Sequence, residues 1–569
     1  MRKHIKLPFN KIALFVGVSL IASILSVSLA FIIQATIDSA GQGDGEKFSR
    51  IIFLTAIFVV LYAVFYYLKT YCMQKLINTT IADLRNRLFT KITSQAYVDY
   101  RRHPVSDYLS VLTNDIHTYQ EGALKSELLI IQNSFSLIAA MAALLLTDVK
   151  IMLLVMVSTI VIYFVPAMIK SKINIAQKET TQEISGMTNY CESHLEGFYV
   201  VYTYGKQEYV QADFQKKNHS YHKVKLGLER LIAVSETISA ALSVATELII
   251  LLVSGYLVFH NVITVGAMVA IMQLTGAFVQ PLMLVMQNVP RLSSGHALEQ
   301  RFAAILDQQT IALPQEDTAE ISFKQEIALS KVDFAYTDGE PVLENINLSF
   351  QRGKKYAIIG GSGAGKTTLI NLINGLYCHY TGNIFLDGQT ISKAYSMGYM
   401  NLFATVSQNV FLFNTTVADN ITLSNRVNEQ LFSDVCQVSG VKEFVEPMQE
   451  RYKTKVTDNG ISLSGGQKQK IALARALYHG KPVLILDEGT SAIDKKSTYE
   501  IEKALLGIED LMLITITHDV GSPLLTDYDE IVFMENGTVA AVGNYEQLIQ
   551  SNQRFGQFVG ENSNQESMG

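Results

Sequence analysis

A glycine-rich stretch in the second half of the chain has the residue types that bind phosphate. The segment "KYAIIGGSGAGKTTLINLI" reads as a strand, a loop and a helix, and residues 360–367 fit the pattern G-x-x-x-x-G-K-[ST]. Glycines let backbone N–H groups turn inward around a phosphate, and the following helix N-terminus adds its dipole. In this pattern Lys366 reaches the outer phosphates and the Thr367 hydroxyl ligates Mg²⁺. The predicted nucleotide contacts are Gly360, Gly361, Ser362, Gly363, Ala364, Gly365, Lys366, Thr367 and Thr368.

A second segment, "KPVLILDEGTSAID", supplies acidic side chains of the kind that nucleotide hydrolysis needs. Its apolar residues predict a buried strand that ends at Asp487, a carboxylate placed to hold Mg²⁺. Glu488 follows at the strand tip, where it either polarises an attacking water or caps the end of the strand. Together with the glycine-rich loop, the two acids predict a domain that binds a nucleotide with Mg²⁺.

A further pair of glycines lies in "ISLSGGQKQK", at the start of a helical pattern. Glycines at a helix N-terminus form a second cradle for an anion. This loop lacks the phosphate-binding lysine and the metal ligand of the first loop, so it is poorly suited to hold a nucleotide alone. The chain therefore has one loop that can hold a nucleotide and one that can only complete such a site.

The chain around these motifs is more apolar than a soluble protein. Of its 569 residues, 49% are hydrophobic and 17% are charged, against roughly 25% charged residues in soluble domains. A bilayer core takes about 20 apolar residues of helix, and the long apolar runs lie in the first half of the chain. Six runs predict transmembrane spans: residues 12–35, 50–70, 127–147, 150–170, 236–259 and 264–287.

The distribution of charge orients these spans. The connections after the first, third and fifth spans are short, whereas those after the second and fourth are long and rich in lysine and arginine. Such residues accumulate on the cytoplasmic side, so the long connections and the N-terminus are predicted to be cytoplasmic. The helical pattern of the long connections predicts that the spans continue as helices well beyond the bilayer.

Composition disfavours several other classes of protein. The net charge of −6 and the lack of a basic stretch argue against a nucleic-acid partner. The four cysteines lie far apart in the sequence, which argues against a metal site or a disulfide scaffold.

A polar segment, "LDQQTIALPQEDTAEIS", separates the membrane part from the part that carries the motifs. Beyond it, short β-rich runs alternate with helical patterns, which predicts an α/β domain with a largely parallel sheet. The predicted fold is thus a membrane α-helical bundle of six transmembrane helices over residues 1–305, a linker over 306–322 and an α/β P-loop ATPase domain over 323–569.

In the order and spacing of its motifs, the whole chain resembles an ATP-binding cassette (ABC) exporter half-transporter, with six spans followed by one nucleotide-binding domain. The sequence "LSGGQ" matches the family signature, and "SAID" resembles the loop usually written SALD. The resemblance implies that Tyr336 stacks on adenine, that Gln408 contacts Mg²⁺ and the attacking water, and that His518 contacts the γ-phosphate. A core tyrosine and a surface histidine are the alternatives for Tyr336 and His518.

The resemblance also implies a dimer. In the family two cassettes associate head to tail, and each ATP lies between the phosphate loop of one chain and the signature of the other. The implied signature contacts here are Ser464, Gly465, Gly466 and Gln467. The implied cofactors are ATP and Mg²⁺, and the implied partner is a second copy of the chain, with a homologous half-transporter as the alternative. The implied location is the cell membrane, with the nucleotide-binding domain in the cytoplasm.

Three positions depart from the family's pattern. Asn459 follows Asp458 where many exporters have arginine, and peptide and bacteriocin exporters often share this arrangement. Gly489 stands where proline is usual, and Asp519 where arginine is usual. None of these changes removes a catalytic group, which favours a homodimer with two active sites. The resemblance implies an ATP-driven exporter whose cargo is a peptide or an amphipathic compound. Lipid or multidrug export, import of metal chelates, and an ATP-gated channel or sensor are the alternatives.

The family places short coupling helices at the tips of both cytoplasmic extensions. Residues 97–115 and 191–207 match these tips in position. The second is rich in aromatic residues, which either plug a groove on the partner's cassette or pack within their own bundle.

Polar residues within the spans are candidates for the substrate path. Ser239, Ser243 and Glu247 share one helical face of the fifth span, and Gln273 and Gln280 share one face of the sixth. Ionisable residues in a span are rare and usually functional. These faces either line a translocation cavity, where an ionised Glu247 would favour a cationic cargo, or make interhelical hydrogen bonds.

Overall fold

The polypeptide forms two compact units in the computed structural model. The first consists of Met1–Phe89 and Ser106–Asp307, and the second of Thr90–Val105 and Gln308–Gly569. The structure describes residue 5 and residues 7–308, 322–336, 339–377, 379–391, 397–456, 463–489 and 492–566. Most of the predicted linker, residues 309–321, and Asp458 and Asn459 lie outside the described residues.

Long helices dominate the first half of the chain, and six of those described cover the six predicted spans. In chain order the helices are α1 (Phe9–Gln42), α2 (Gly45–Thr93), α3 (Tyr97–Arg101), α4 (Val105–Ser110), α5 (Ile116–Tyr119), α6 (Lys125–Thr147), α7 (Val149–Glu196), α8 (Phe198–Thr203), α9 (Gln207–Phe259) and α10 (Val265–Leu306), with π-helical segments at Val111–Asp115 and Gln120–Leu124. Helices α2, α7 and α9 have 49, 48 and 53 residues. At about 1.5 Å per residue they are far longer than the roughly 30 Å hydrocarbon core, so they extend beyond the bilayer as predicted.

Five of the described helical stretches are long and apolar enough to cross a membrane. They are Phe9–Gln42, Gly45–Thr93, Val105–Thr147, Gln207–Phe259 and Val265–Val289. The predicted fourth span lies in α7, where Val149–Ser158 is apolar and several of the following side chains lie outside the described part.

Small residues let the membrane helices pack closely. Ala30 of α1, Ala140 and Ala143 of α6, and Ala270 of α10 are all buried in one cluster. Close approach of backbones through small residues is typical of membrane helices, because lipid provides no hydrophobic drive for association. The carboxylate of Asp38 in α1 also accepts hydrogen bonds from the Thr264 hydroxyl (2.9 Å) and the Gly266 N–H (3.1 Å) at the N-terminus of α10.

Short helices lie at both predicted tips. Helices α3 and α4 and the first π-helical segment cover residues 97–115, and α8 lies within 191–207. The aromatic side chains of the second tip are exposed by 57–78%: Phe198, Tyr199, Tyr202 and Tyr204. They therefore do not pack within the described part of their own bundle.

The second unit contains two sheets. The strands are β1 (Glu326–Phe334), β2 (Leu343–Gln351), β3 (Lys355–Gly360), β4 (Thr381–Leu386), β5 (Gln389–Thr390), β6 (Phe403–Val406), β7 (Val483–Asp487), β8 (Met512–Ile516), β9 (Glu530–Glu535) and β10 (Thr538–Gly543). Six strands in the order β10-β9-β3-β8-β7-β6 form the main sheet, which is parallel except for the β9–β10 pair. The sequence predicted one largely parallel sheet, but β1 and β2 lie in a separate antiparallel sheet of order β2-β1-β4-β5.

Nine helices are described beyond residue 322. They are α11 (Lys366–Ile373), α12 (Met397–Met400), α13 (Val417–Thr422), α14 (Glu429–Val438), α15 (Val441–Val445), α16 (Gly465–Tyr478), α17 (Lys495–Leu506), α18 (Tyr545–Ser551) and α19 (Gln553–Glu566), with 3₁₀ turns at Arg451–Lys453 and Pro523–Asp527. Helices α13, α14 and α15 pack against α16 in a hydrophobic cluster of their own. All six residues of β3 are buried, as expected for a central strand covered on both faces.

Candidate nucleotide-binding site

Four loops carry the predicted catalytic residues to one edge of the main sheet. The strands β3, β8, β7 and β6 are neighbours, and all four run parallel. In such sheets, ligands bind beyond the carboxyl ends of the strands. The glycine-rich loop follows β3, and Asp487 ends β7 with Glu488 directly after it. Gln408 follows β6 and His518 follows β8. Motifs that are far apart in the sequence therefore meet at this edge.

The backbone of the glycine-rich loop needs glycine for two different reasons. Gly363 and Gly365 have φ of 80° and 92°, the left-handed region that glycine adopts without steric cost. At Gly360 the constraint is space, because a Cβ there would lie 2.3 Å from the carbonyl oxygen of Met534. By contrast, a Cβ on Gly361 would meet nothing within 4 Å.

The lysine of the loop lies inside the turn. Lys366 is 7% exposed, and its Nζ donates hydrogen bonds to the carbonyl oxygens of Gly360 (2.8 Å) and Gly361 (2.9 Å). Burial lowers the pKa of Lys366, although the nearby carboxylates of Glu488 and Asp487 oppose that effect. A buried ammonium ringed by loop backbone is suited to meet the oxygens of a bound phosphate.

The other loop residues divide between surface and core. Ser362 and Gly363 are exposed, whereas Ala364 and Thr368 are buried. The first two are therefore accessible to a ligand, and the last two pack beneath the loop.

Two of the three predicted magnesium ligands, Thr367 and Asp487, lie side by side. The hydroxyl of Thr367 donates a hydrogen bond to Oδ1 of Asp487 at 3.2 Å. Burial raises the pKa of Asp487, while the hydrogen bond from Thr367 lowers it. Hydroxyl and carboxylate oxygens beside a phosphate loop are the ligands that Mg²⁺ takes in such sites, so the residues present fit this cation.

The three predicted catalytic side chains are in direct contact. Oε2 of Glu488 accepts a hydrogen bond from the Gln408 amide at 2.5 Å, and Oε1 lies 2.8 Å from Nε2 of His518. A role as a strand cap, which is the alternative prediction for Glu488, does not account for these two side-chain contacts. A carboxylate held by an amide and an imidazole beside the metal ligands has the geometry of a general base.

The backbone of Glu488 is in an unusual conformation. Its φ is 50°, in the left-handed region that a residue with a side chain rarely adopts. Such strain clusters at active sites and persists only where neighbouring groups hold it in place. The strain therefore supports a functional role for this glutamate.

Tyr336 is a surface residue and not a core tyrosine. Its side chain is 53% exposed, and its hydroxyl hydrogen-bonds to Thr368 Oγ1 at 2.7 Å. The ring contacts Phe334 and Tyr377 edge to face, with centroid distances of 5.0 and 5.5 Å. The contact with Thr368 places the tyrosine beside the glycine-rich loop, where a base could stack on its ring.

The signature side chains bind each other within this chain. Ser464 is the N-cap of α16: its Oγ accepts from the Gln467 N–H (3.2 Å), and the Gln467 amide oxygen accepts from the Ser464 N–H (2.9 Å). This reciprocal pair is a capping box. By the geometry of an α-helix, the N–H groups of Gly465 and Gly466 have no intrahelical partner, so the helix start can still bind an anion.

Two of the departures from the family pattern, Gly489 and Asp519, lie in the described part of the structure. A Cβ on Gly489 would lie 2.9 Å from Cγ1 of Val406, so only a residue without a side chain fits there without a shift. Asp519 stabilises the turn after His518, because its carboxylate accepts a hydrogen bond from the Gly521 N–H at 3.1 Å.

The polar residues of the fifth and sixth spans divide into two groups. Glu247, Gln273 and Gln280 are exposed on the surface of the chain, whereas Ser239 is buried. The predicted polar face of α9 is therefore partly an interior contact and partly a surface.

Sequence analysis missed one buried polar residue near the site. Gln469 in α16 is 2% exposed and contacts the backbone of Glu488 and of Ala492. The helical period could have identified this residue, because Gln469 lies on the same buried face of the helix as Ala472, Leu473 and Ala476. A buried amide on such a face needs hydrogen-bond partners.

Comparison with known proteins agrees with this geometry. The family profile described as the ABC transporter transmembrane region matches residues 12–282, and the profile described as ABC transporter matches residues 343–491. An ATP-dependent lipid A-core flippase of Pseudoalteromonas translucida (strain TAC 125) is 28% identical over 88% of this chain and 86% of the relative. A protein of Bacillus subtilis (strain 168) named for multidrug export, an ATP-binding/permease protein, is 24% identical over 95% of each chain.

A solved structure shows the same fold. A bacterial Atm1-family ABC exporter with ATP bound superposes with a TM-score of 0.83 at 17% identity, over 97% of this chain and 99% of the other. The matched profiles and the apolar helices make the chain a multi-pass membrane protein with a cytoplasmic nucleotide-binding domain, in which ATP hydrolysis is coupled to transport. The chain belongs to the ABC transporter family and has the exporter fold of its half-transporters.

Proposed function

We propose that the chain works as a homodimer in which Glu488 activates the water that attacks ATP. The observation that carries this assignment is the contact of its carboxylate with both Gln408 and His518, at 2.5 and 2.8 Å. Gln408 orients the carboxylate and the water, and His518 contacts the terminal phosphate. Two side chains that follow the strands β6 and β8, which neighbour β7, would not converge on the carboxylate beside the end of β7 by packing alone.

The phosphates and the cation have their own residues. Lys366 and the backbone of the glycine-rich loop hold the phosphates, and Tyr336 stacks on the adenine. Thr367, Asp487 and Gln408 would hold Mg²⁺, which would supply positive charge against the negative charge that develops on the transferred phosphoryl group and the departing ADP. The short distance between Thr367 and Asp487 supports this set of ligands.

Dimerisation completes each site. Ser464 and the N–H groups of Gly465 and Gly466 contact the terminal phosphate of the ATP that the partner's loop holds. Ser464 and Gly465 are exposed at the start of α16, which keeps this helix N-terminus accessible. A second copy of the chain supplies a complementary half-site of this kind, and a homologous half-transporter is the alternative partner.

Closing of the dimer moves the membrane helices through the cytoplasmic tips. The exposed rings of Phe198, Tyr199, Tyr202 and Tyr204 dock on the partner's nucleotide-binding domain, where their apolar surface is removed from water. ATP binds preferentially to the closed dimer, shifts the population to the outward-facing state, and hydrolysis resets it.

The cargo is an amphipathic compound. The relatives are named for lipid A and for drugs, which favours this class over the peptide that the sequence around Asn459 suggested. Glu247, Gln273 and Gln280 line the path, and their exposure on this chain supports that role. A channel or a sensor needs ATP binding but no turnover, so the intact catalytic contacts disfavour both.

ATP-dependent uptake into inside-out membrane vesicles tests this function. Vesicles with the wild-type chain should accumulate a fluorescent amphipathic dye or lipid when Mg²⁺ and ATP are present, and Glu488→Gln vesicles should not. Glu500→Gln, an exposed glutamate of α17, is the matched control and should transport normally. Accumulation that survives in Glu488→Gln would overturn active transport by this site.

A further inference from the structure

One buried amide joins the signature helix to the catalytic glutamate of the same chain. Gln469 is 2% exposed, and a polar side chain so deeply buried needs hydrogen-bond partners. Its Nε2 donates to the carbonyl oxygen of Glu488 at 3.3 Å, and its Oε1 accepts from the Ala492 N–H at 3.0 Å. A single side chain of α16 therefore hydrogen-bonds to the backbone of both Glu488 and Ala492.

These contacts anchor the strained backbone of Glu488. With φ at 50°, this residue needs its surroundings to keep it in the left-handed region. Its N–H donates to the carbonyl oxygen of Ile516 at 3.3 Å, and its own carbonyl oxygen accepts from Gln469. Without the amide, one of these two anchors is lost and the carboxylate can move away from Gln408 and His518.

The start of the signature helix presses on the same segment. A Cβ on Gly465 would lie 3.1 Å from Cβ of Ala492, and one on Gly466 would lie 2.8 Å from its carbonyl oxygen and 3.4 Å from Cα of Ile493. Such close packing leaves no space for the helix N-terminus to move without also moving residues 492–493. A displacement of the signature is therefore passed to Ala492, which shares the Gln469 amide with Glu488.

We propose that Gln469 is a positioning residue through which the signature of each chain controls the Glu488 carboxylate of that same chain. This inference rests on the head-to-tail dimer of the proposed function. In that dimer the signature contacts the ATP held by the partner, whereas Glu488 acts on the ATP held by its own loop. Gln469 thus couples the two ATP sites: closure around one ATP sets the general base for the other.

Mixed dimers of the full chain test this proposal. Two differently tagged chains are purified as pairs in which one chain carries Glu488→Gln, so that one site alone can hydrolyse ATP. Gln469→Met, which keeps the volume and removes the amide, is then placed in either chain. In the chain that keeps Glu488 it should lower kcat about 10-fold with little change in the KM for ATP, because positioning and not binding is lost. In the chain with Glu488→Gln it should change kcat less than about 2-fold.

The chain in which Gln469→Met lowers kcat distinguishes a positioning residue for Glu488 from a residue that only supports the signature. The signature that serves the active site comes from the chain with Glu488→Gln, so a Gln469→Met that merely disturbed the signature would be harmful there. A loss that follows that chain, an equal loss in both arrangements, or no loss in either would overturn the proposal. Wild-type dimers that hydrolyse no ATP would overturn the proposed function as well, which separates the two failures.

Two further variants guard against misfolding. Gln437→Met changes an exposed glutamine of α14 in the same way and should leave kcat unchanged in either chain. Gln469→Glu keeps the acceptor for the Ala492 N–H and removes the donor to the Glu488 carbonyl oxygen. It should show the same dependence on which chain carries it, and equal rates in the two arrangements would count against the proposal. Binding of a fluorescent ATP analogue verifies that the phosphate loop is intact in each dimer.

Discussion

The proposed role of the signature serine can be tested by a substitution that leaves its helix intact. Ser464 caps α16 through reciprocal hydrogen bonds of 3.2 and 2.9 Å with Gln467. Alanine would remove the cap at a cost of about 1 kcal/mol, and the resulting loss of activity would mix instability with chemistry. Aspartate caps a helix as well as serine does, and its negative charge at a helix N-terminus is stabilising. Ser464→Asp therefore adds a charge without weakening the fold.

That charge affects hydrolysis only if a phosphate approaches the serine. Two unit charges about 5 Å apart, with an effective dielectric constant of about 20, repel each other by about 3 kcal/mol. This energy shifts an equilibrium by more than about 100-fold. We expect Ser464→Asp to reduce ATP hydrolysis by at least this factor, because closure brings the partner's ATP against the new carboxylate. Binding of ATP to the phosphate loop and the thermal midpoint should stay at wild-type values.

The assay is steady-state ATP hydrolysis by the full-length transporter in lipid nanodiscs, with a matched control on another helix. Asn544 caps α18 through the same capping box with Gln547, at 2.8 and 3.4 Å. Asn544→Asp adds the same charge at the same helical position away from the signature, and it should hydrolyse ATP normally. A Ser464→Asp transporter with the wild-type rate would refute the placement of Ser464 at a phosphate, and so would an equal loss in Asn544→Asp.

Two further predictions concern the phosphate loop and the substrate path. Gly360→Ala places a methyl group 2.3 Å from the Met534 carbonyl oxygen, so it should destabilise the nucleotide-free protein by roughly 1–3 kcal/mol in denaturant unfolding. Gly361→Ala is the control with open space, and equal unfolding midpoints for the two variants would contradict the packing argument. Glu247→Gln should reduce the stimulation of ATP hydrolysis by cationic substrates and leave basal hydrolysis near normal, because it removes the charge and keeps the size. Glu229→Gln, on the same helix beyond the predicted span, should change neither, and undiminished stimulation in Glu247→Gln would remove that residue from the path.

Local sequence patterns sufficed where the structure is local. The strand, loop and helix around Lys366 follow from an apolar run, clustered glycines and a helical period, all within about 20 residues. The reciprocal hydrogen bonds of Ser464 and Gln467 also have a local basis, because S-x-x-Q is the spacing of a capping box, although only a phosphate contact was predicted for these residues. The contact of Glu488 with Gln408 and His518 follows once the strands are parallel neighbours, because their carboxyl ends then share one edge.

Long-range pairing and backbone conformation were not readable in the same way. The runs that form β1 and β2 have the apolar character of the other strands, so residue type did not reveal that they pair antiparallel in a sheet of their own. A positive φ at Glu488 could not be inferred from a residue type that normally avoids it. The role of Gln469 could not be predicted because its hydrogen-bond partners lie about 20 residues further along the chain. An amide can bond to groups at any sequence separation.

The signature glycines have two separate functions, because they allow a phosphate to approach the helix and allow the helix to pack closely against residues 492–493. The sequence explains Gly465 and Gly466 by the close approach of a phosphate, and the structure adds that residues 492–493 leave no room for a side chain at Gly466. A substitution there moves Ala492, which binds the same Gln469 amide as Glu488, even when no phosphate is present. Loss of activity in a glycine variant therefore cannot measure the phosphate contact alone. Ser464 can be changed to another capping residue without altering that packing. A substitution at Ser464 therefore tests the contact with the partner's ATP separately from the packing of the signature within its own chain.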